Sequence, residues 1–150
     1  MTIEKVTTVD PVEEINTLVS KALVAQDEFR LLNQEQVDNI VEKASAAARD
    51  AARILAQHAN EETGRGVFED KVTKNLFASE NVANYLRGLK TVGIVDKNES
   101  DGLTTIADPV GVVCAMVPTT NPTSTTIFKS LISLKTRNPI IFSFHPAANE

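Results

Sequence analysis

The sequence lacks several features that would point to common classes of protein. It has one cysteine, Cys114, so an internal disulfide is impossible and no CxxC zinc site exists. The longest near-continuous apolar run, Val110–Val117, is far shorter than the roughly 20 residues of a transmembrane helix. No apolar signal core follows the first five residues, Met-Thr-Ile-Glu-Lys. We therefore expect a cytoplasmic protein with no membrane segment.

Positive charge is also scarce. The 150 residues include 15 Lys and Arg against 20 Asp and Glu, for a formal net charge of −5. A nucleic-acid-binding protein usually has a basic face, and a membrane-binding patch needs a basic run, so neither partner is expected. The 42% hydrophobic and 23% charged residues are ordinary for a folded domain. A length of 150 residues suits about one domain.

Residues 1–90 have the pattern of a helical region. Asp10 and Pro11 predict a helix start, and this helix should end near Phe29. Asn33, with Gln36 three residues later, resembles a capping box and predicts a long helix over 34–62. Gly64 would stop that helix.

A third helix is predicted from Glu69 to about Leu86, with Gly88 ending it. The residues expected to be buried on this helix are Val72, Leu76, Phe77 and Tyr85. The short runs Thr91–Val95 and Thr104–Ile106 then predict two strands, joined by a hairpin loop over 96–102. Residues 91–108 would form an arm or linker that leaves the domain to contact another part of the protein.

Residues 109–150 have the pattern of a strand–helix–strand unit. Val110–Val117 is apolar on both faces, as in a parallel strand covered by helices on both sides. The next helix, Thr123–Lys135, should bury an apolar stripe formed by Ile127, Leu131 and Leu134. Its two lysines, Lys129 and Lys135, lie off that stripe. Ile140–Phe142 is the second strand. We expect this to be the start of an α/β nucleotide-binding domain that the chain does not complete.

Ligands of such sheets bind beyond the carboxyl ends of the strands. Two polar loops reach that edge, Pro118–Asn121 and Ser143–Pro146. The start of the helix at Pro122 also favours negative charge there. Neither a GxGxxG fingerprint nor a Walker A motif is present. The spacing alone therefore indicates a ligand-binding edge without identifying the ligand.

The residues of this unit also resemble a known family. The segment Val117-Pro-Thr-Thr-Asn-Pro-Thr-Ser and its continuation to Asn138 are similar to the aldehyde dehydrogenase unit of the bifunctional aldehyde–alcohol dehydrogenases. The similarity continues through Ile140–Pro146, and upstream through short matches: Gln34–Asp38, Glu62–Gly64, Glu69–Lys71, Lys74-Asn75 and Phe77–Glu80. It covers nearly the whole chain from about residue 10 onward.

The resemblance implies an activity and its cofactors. The family is an oxidoreductase that converts acetyl-CoA to acetaldehyde with NADH, so NAD is the cofactor and CoA a co-substrate. Its iron lies in a C-terminal alcohol dehydrogenase unit that reduces acetaldehyde to ethanol and is absent from this chain. The partners implied are a small aldehyde or acyl-CoA, and other copies of the full-length protein in a homo-oligomer or filament.

The resemblance also implies roles for single residues. Asn121 matches the asparagine that donates to the oxyanion of the thiohemiacetal intermediate. Val117, Pro118, Thr119 and Thr120 would face the nicotinamide and the substrate. Many aldehyde dehydrogenases have a lysine after the second strand, but Ser143 stands there in this sequence. The cofactor-binding candidates on the adenosine side are therefore Ser143, His145 and Pro146.

Several of these residues have simpler explanations. Asn121 would cap its own helix, and a side chain engaged in that way cannot reach a substrate. His145 would be a loop residue bonded to the backbone, and His58 a solvated helix residue. We expect Cys114 to be a buried core residue, since the resemblance places the catalytic cysteine in a later segment.

No metal site is expected. The two histidines are far apart in the sequence and have no cysteine beside them. A solvated acidic face explains the remaining carboxylates: Glu61, Glu62, Glu69 and Asp70.

Three functions remain open from the sequence. The first is the N-terminal segment of a bifunctional aldehyde–alcohol dehydrogenase. The second is a stand-alone CoA-acylating aldehyde dehydrogenase. The third is a non-catalytic assembly module that uses the helical region and the arm. We expect the 150-residue chain alone to be inactive, because two strands and one helix cannot close a cofactor pocket.

Overall fold

The computed structural model describes residues 10–148. Residues 1–9 and 149–150 lie outside the described residues, and so do the parts of the predicted helical region, α/β unit and signal-free N-terminus that fall on them. The helices are α1 (Pro11–Phe29), α2 (Gln34–Asp50), α3 (Ala52–Thr63), α4 (Phe68–Leu76), a π-helix (Phe77–Asn81), α5 (Val82–Arg87) and α6 (Pro122–Lys135). The strands are β1 (Gly93–Asn98), β2 (Leu103–Ala107), β3 (Val113–Val117) and β4 (Ile140–Phe144).

The predicted helix ends depend on local capping, and they are confirmed. Asp10 accepts a hydrogen bond from the backbone N–H of Val12 at the start of α1. Asn33 and Gln36 form a reciprocal capping box at the start of α2, with distances of 2.9 and 3.0 Å. Gly64 ends α3 with a φ of 60°, a left-handed conformation that suits glycine.

The prediction of a single helix over 34–62 is wrong in one respect. The segment is divided at Ala51 into α2 and α3. Just beyond the division, the carbonyl of Ala52 accepts a hydrogen bond from Asn75 Nδ2 at 2.9 Å. Insertion of a side chain into a helix in this way is a known cause of a bend. The partner is 23 residues away in the sequence, so local periodicity does not reveal it.

The third predicted helix is present, but its buried face was wrongly assigned. Phe77 and Tyr85 are exposed, at 59% and 73%. A π-helical turn separates α4 from α5, and in it the N–H of Val82 bonds to the carbonyl of Phe77. The wider turn shifts the residues after it relative to a 3.6-residue repeat. The buried side chains are Lys71, Asn75, Ala78, Ser79, Ala83 and Leu86.

Residues 93–107 form the predicted hairpin arm. β1 and β2 pair antiparallel, with Ile94 opposite Ile106 and a bulge between Ile94 and Asp96. The strands run further towards the turn than predicted, so the connection is only residues 99–102.

The strand–helix–strand unit is confirmed. β3 and β4 pair in parallel, from Val113 opposite Ile140 to Val117 opposite Phe144, and α6 contacts both strands. β4 continues two residues beyond the predicted end, so Ser143 lies within the strand. Alternation along β3 buries Ala115 and Val117.

The prediction that helices cover both faces of β3 is wrong for this chain. Cys114 and Met116 are exposed on the second face, so Cys114 is not a buried core residue here. Only two strands and one crossover helix of the sheet are present in the described residues.

The core lies between α2, the π-helix, α5 and α6. It consists of Val37, Val41, Ala78, Ala83, Leu86, Ile127 and Leu131. Lys135 was predicted to lie off the buried stripe of α6, yet only 1% of it is exposed. Its ammonium bonds to Asp38 Oδ1 of α2 at 2.5 Å, and an ion pair of this kind lets a lysine be buried.

One further side chain joins distant segments. Arg137, just after α6, is buried and has a positive φ of 58°. Its guanidinium donates to the carbonyls of Arg30 and Ala107, at 2.6 and 3.1 Å. It thus ties together the end of α1, the end of the arm and the approach to β4. Among the helices of residues 10–148, none has the length and hydropathy to cross a bilayer.

Candidate active-site loop after the first parallel strand

The two loops predicted to bind ligand meet at one edge of the sheet. Residues 118–121 follow β3, and His145–Pro146 follow β4. The strands are parallel and in register at Val117 and Phe144, so their carboxyl ends coincide. The N–H of His145 also bonds to the carbonyl of Val117 at 3.2 Å. The structure therefore brings the nicotinamide-side and adenosine-side candidates together.

The loop after β3 is held by a helix that precedes it by about fifty residues in the sequence. Three side chains of α4 contact this loop or the first turn of α6 that follows it. Lys71 Nζ donates to the carbonyl of Thr120 at 3.3 Å, and Lys74 Nζ donates to Asn121 Oδ1 at 3.0 Å. Asn75 Oδ1 accepts from the hydroxyl of Thr123 at 2.8 Å. The position of the loop is thus set by the helical region as well as by the sheet.

Asn121 does not cap its own helix. Its backbone carbonyl accepts the first α6 bond, from Thr125 N–H, but no side-chain capping bond forms. The side-chain oxygen faces Lys74, and Nδ2 donates to Thr120 Oγ1 at 3.2 Å. The capping alternative is therefore wrong, and the amide is available for a role outside the helix.

The electrostatics of the loop are positive. Lys71 is only 4% exposed, and burial lowers the pKa of its ammonium, with a further lowering from the charge of Lys74. Lys74 is exposed on the same side of α4. Two lysines and the start of α6 therefore surround the loop with positive potential, which favours a reaction that develops negative charge nearby.

A cleft opens beside Asn121, between α6 and the α4–π-helix–α5 segment. Its volume is about 570 Å³. Both polar and apolar residues line it: Thr73, Lys74, Asn121, Ser124 and Thr125 are polar, and Phe77, Ala78, Val82 and Phe128 are apolar. Such a cleft suits a small molecule with a polar reacting end and an apolar chain.

Sequence reasoning missed the phenylalanines and lysines of this cleft. Phe77 was assigned to the core, but it is exposed at the start of the π-helical turn and lines the cleft instead. Lys71 and Lys74 belong to a segment that resembles the family, but their spacing gives no sign that they meet a loop 47 to 49 residues later. Only the packing of α4 against α6 shows this contact.

Most of the remaining cofactor candidates are exposed at the strand ends. Val117 is buried and Thr119 half-buried, while Pro118 and Thr120 are exposed. On the adenosine side, Ser143, His145 and Pro146 are all exposed. His145 Nδ1 accepts from the N–H of Ala147 at 3.1 Å, so the simpler backbone-bonded role is present. That bond leaves the other side of the imidazole ring available to a ligand.

The other residues considered from the sequence lie apart from the loop. His58 is exposed on α3 and lines a separate cleft of about 250 Å³ with Glu62 and Phe144. Within residues 10–148, no three His, Cys, Asp or Glu side chains are grouped in a way that could hold a metal ion.

Comparison with known proteins gives one consistent result. The pattern of the aldehyde dehydrogenase family matches residues 2–148. The aldehyde-alcohol dehydrogenase 2 of Entamoeba histolytica is 58% identical over 150 residues, which are 99% of this chain and 17% of that protein. The chain therefore spans about a sixth of that relative.

Solved structures agree with this result. An acetylating aldehyde dehydrogenase from Geobacillus thermoglucosidasius is 47% identical, with a TM-score of 0.89 over 91% of this chain and 30% of that one. A propionaldehyde dehydrogenase from Rhodopseudomonas palustris, solved with bound CoA and an acylated cysteine, is 32% identical, with a TM-score of 0.75 over 89% of this chain and 30% of that one.

Proposed function

This chain belongs to the aldehyde dehydrogenase family, and from that premise we propose that it is the N-terminal segment of an NAD-dependent, CoA-acylating acetaldehyde dehydrogenase. The reaction is acetyl-CoA plus NADH and a proton to acetaldehyde, CoA and NAD. Residues 1–90 are the helical region, 91–108 the arm, and 109–150 the start of the NAD-binding domain. The acetylating activity is supported by the relatives that carry it in their names.

The observation that carries the proposal is the Asn121 amide, directed away from its own helix and into the cleft. A catalytic cysteine outside this chain would take the acetyl group from CoA. Bound NADH would supply the hydride for reduction of the resulting thioester. The thioester carbonyl oxygen becomes negative as this occurs, and Asn121 Nδ2 would donate a hydrogen bond to it.

The residues at the sheet edge fit one side of a dinucleotide. Pro118 and Thr120 on one strand end, and Ser143 and His145 on the other, are exposed on the same edge. Parallel sheets bind nucleotides at this position. We propose that Val117–Thr120 face the nicotinamide, and that Ser143, His145 and Pro146 face the adenosine.

A bifunctional parent protein is favoured by the Entamoeba relative, which at 58% identity is more similar than the Geobacillus enzyme at 47%. In that case an iron-dependent alcohol dehydrogenase unit would follow in the same polypeptide. The TM-score of 0.89 to the Geobacillus enzyme keeps a stand-alone acylating enzyme as the second candidate. Reading the coding sequence past Glu150 to its stop codon separates the two.

Substitution of Asn121 tests the proposed activity. The full-length protein should form NADH from acetaldehyde and NAD only when CoA is present. Asn121→Ala should lower kcat by about 100-fold with little change in the KM for NAD, because it removes one oxyanion donor. The control is Asn39→Ala, which removes an exposed amide on α2.

Two results would contradict the proposal. One is a wild-type protein that forms no NADH with any short aldehyde and CoA. The other is an Asn121→Ala variant as active as the Asn39→Ala control.

A further inference from the structure

The orientation of the Asn121 amide is determined by a lysine on another element. Lys74 Nζ lies 3.0 Å from Asn121 Oδ1. An ammonium can only donate hydrogen bonds, so the atom that faces it must be the amide oxygen. The NH₂ group then lies on the opposite side, where one hydrogen bonds to Thr120 Oγ1 at 3.2 Å. The second hydrogen remains for another acceptor.

We infer that Lys74 is a positioning residue for Asn121. By holding the amide oxygen, Lys74 makes Asn121 present its N–H, and not its oxygen, to the reacting carbonyl. This role rests on the proposed function. A flipped amide would place its oxygen against the developing oxyanion, and the two negative partial charges would repel. An ammonium on the amide oxygen also polarises the group and makes its N–H a stronger donor.

The neighbouring contacts separate this role from simple support of the loop. Lys71 holds the carbonyl of Thr120, and Asn75 holds the hydroxyl of Thr123, on either side of Asn121. Both of these α4 side chains are buried, whereas Lys74 is exposed at the cleft. Loss of the Lys74 ammonium should therefore leave the loop in place and free only the amide to rotate.

The first test is a steady-state comparison in the full-length protein, following NADH formation from acetaldehyde, CoA and NAD. Lys74→Met should lower kcat by about 10-fold, as expected for a weakened transition-state hydrogen bond, and leave the KM for NAD and CoA within about twofold. Lys74→Arg keeps the charge and should restore most of the activity. Lys43→Met, which removes an exposed lysine of α2, is the matched control and should behave as wild type.

The second test is a double-mutant cycle with Asn121→Ala. If Lys74 acts through Asn121, adding Lys74→Met to Asn121→Ala should change kcat by less than about twofold. A lysine that merely stabilises the fold would produce losses that multiply in the double variant, together with a lower melting temperature in Lys74→Met alone.

The outcomes distinguish the two hypotheses. An active wild type with an unaffected Lys74→Met variant overturns the positioning role and leaves the proposed function standing. Multiplicative losses in the double variant do the same. A wild type that lacks CoA-dependent NADH formation overturns the proposed function, and the positioning role with it.

Discussion

At the scale of single residues, Lys71 has a buried ammonium whose pKa departs from its ordinary value. Its pKa is lowered by burial and then by the charge of Lys74, from the ordinary lysine value of 10.5. Between the lowered folded-state pKa and that ordinary value, the unfolded chain holds more protons than the folded one. The stability contributed by this residue should therefore rise with pH in that window.

Replacement of Lys71 by methionine tests this dependence. Wild type should gain apparent melting temperature relative to Lys71→Met as pH rises from about 7 to about 10, below the usual lysine pKa. The measurement is thermal unfolding of the full-length protein at several pH values. The control is Lys90→Met, which removes an exposed lysine. A wild-type advantage that shrinks with rising pH would contradict the assigned direction.

Individual residues also show what sequence reasoning can reach. Asn121 was found because it follows a strand in a run of residues that resembles a family. Lys74 was not found, because its contact spans 47 residues and depends on how α4 packs. The competing role for Asn121, a helix cap, was chemically reasonable, and the structure excludes it because the side chain is already bonded elsewhere.

At the scale of elements, helix ends that depend on nearby residues could be predicted from the sequence, whereas features that depend on residues distant in the sequence could not. The helix starts at Asp10 and Asn33 and the stop at Gly64 depend on nearby backbone groups, and they were predicted. The division at Ala51 and the buried Lys135 depend on Asn75 and Asp38, which lie elsewhere in the sequence. The π-helix shifted the buried face without any proline or glycine to mark it.

The contact between α2 and α6 gives a prediction at this scale. Lys135 is 1% exposed by side chain and Asp38 is 39% exposed, so Asp38→Ala would leave a buried ammonium without its counter-ion. We expect a loss of about 3 kcal/mol in unfolding free energy, and less in the Asp38→Ala/Lys135→Met double variant, where no charge is stranded. Denaturant unfolding of the full-length protein measures both.

The exposed pair between Arg87 and Glu42, with distances of 2.9 and 3.0 Å, is the control for this prediction. Glu42→Ala should cost under about 1 kcal/mol, because water screens that pair. If the double variant is as unstable as Asp38→Ala alone, stranded charge is not the cause of the loss.

At the scale of the whole molecule, the fold class and the family could be predicted from the sequence, while the state of the sheet could not. Val110–Val117 has the apolar pattern of a strand covered on both sides. In the described residues only one side is covered, and Met116 is 76% exposed on the other. An apolar strand pattern reports the environment of a finished domain, and this chain spans about a sixth of its Entamoeba relative.

This mismatch leads to the prediction that the 150-residue chain alone has no dehydrogenase activity. Its candidate loop and cleft are present, but within residues 10–148 the parallel sheet has only two strands, and the surface around Met116 faces water. Surfaces of this kind promote self-association. Acetaldehyde, CoA and NAD should therefore give no NADH above background, while light scattering should show particles larger than a monomer.

Two further variants make this prediction specific. Met116→Thr should reduce self-association without creating activity, whereas Asn39→Ala, on α2 and remote from the sheet face, should change neither. Joining residues 10–148 to the remainder of the Entamoeba relative, in place of its own matching segment, should give CoA-dependent NADH formation, because under the proposed function the rest of the protein provides the further strands and the catalytic cysteine. Turnover by the isolated chain would show that the first parallel strands, α6 and the α4-held loop already form a working site.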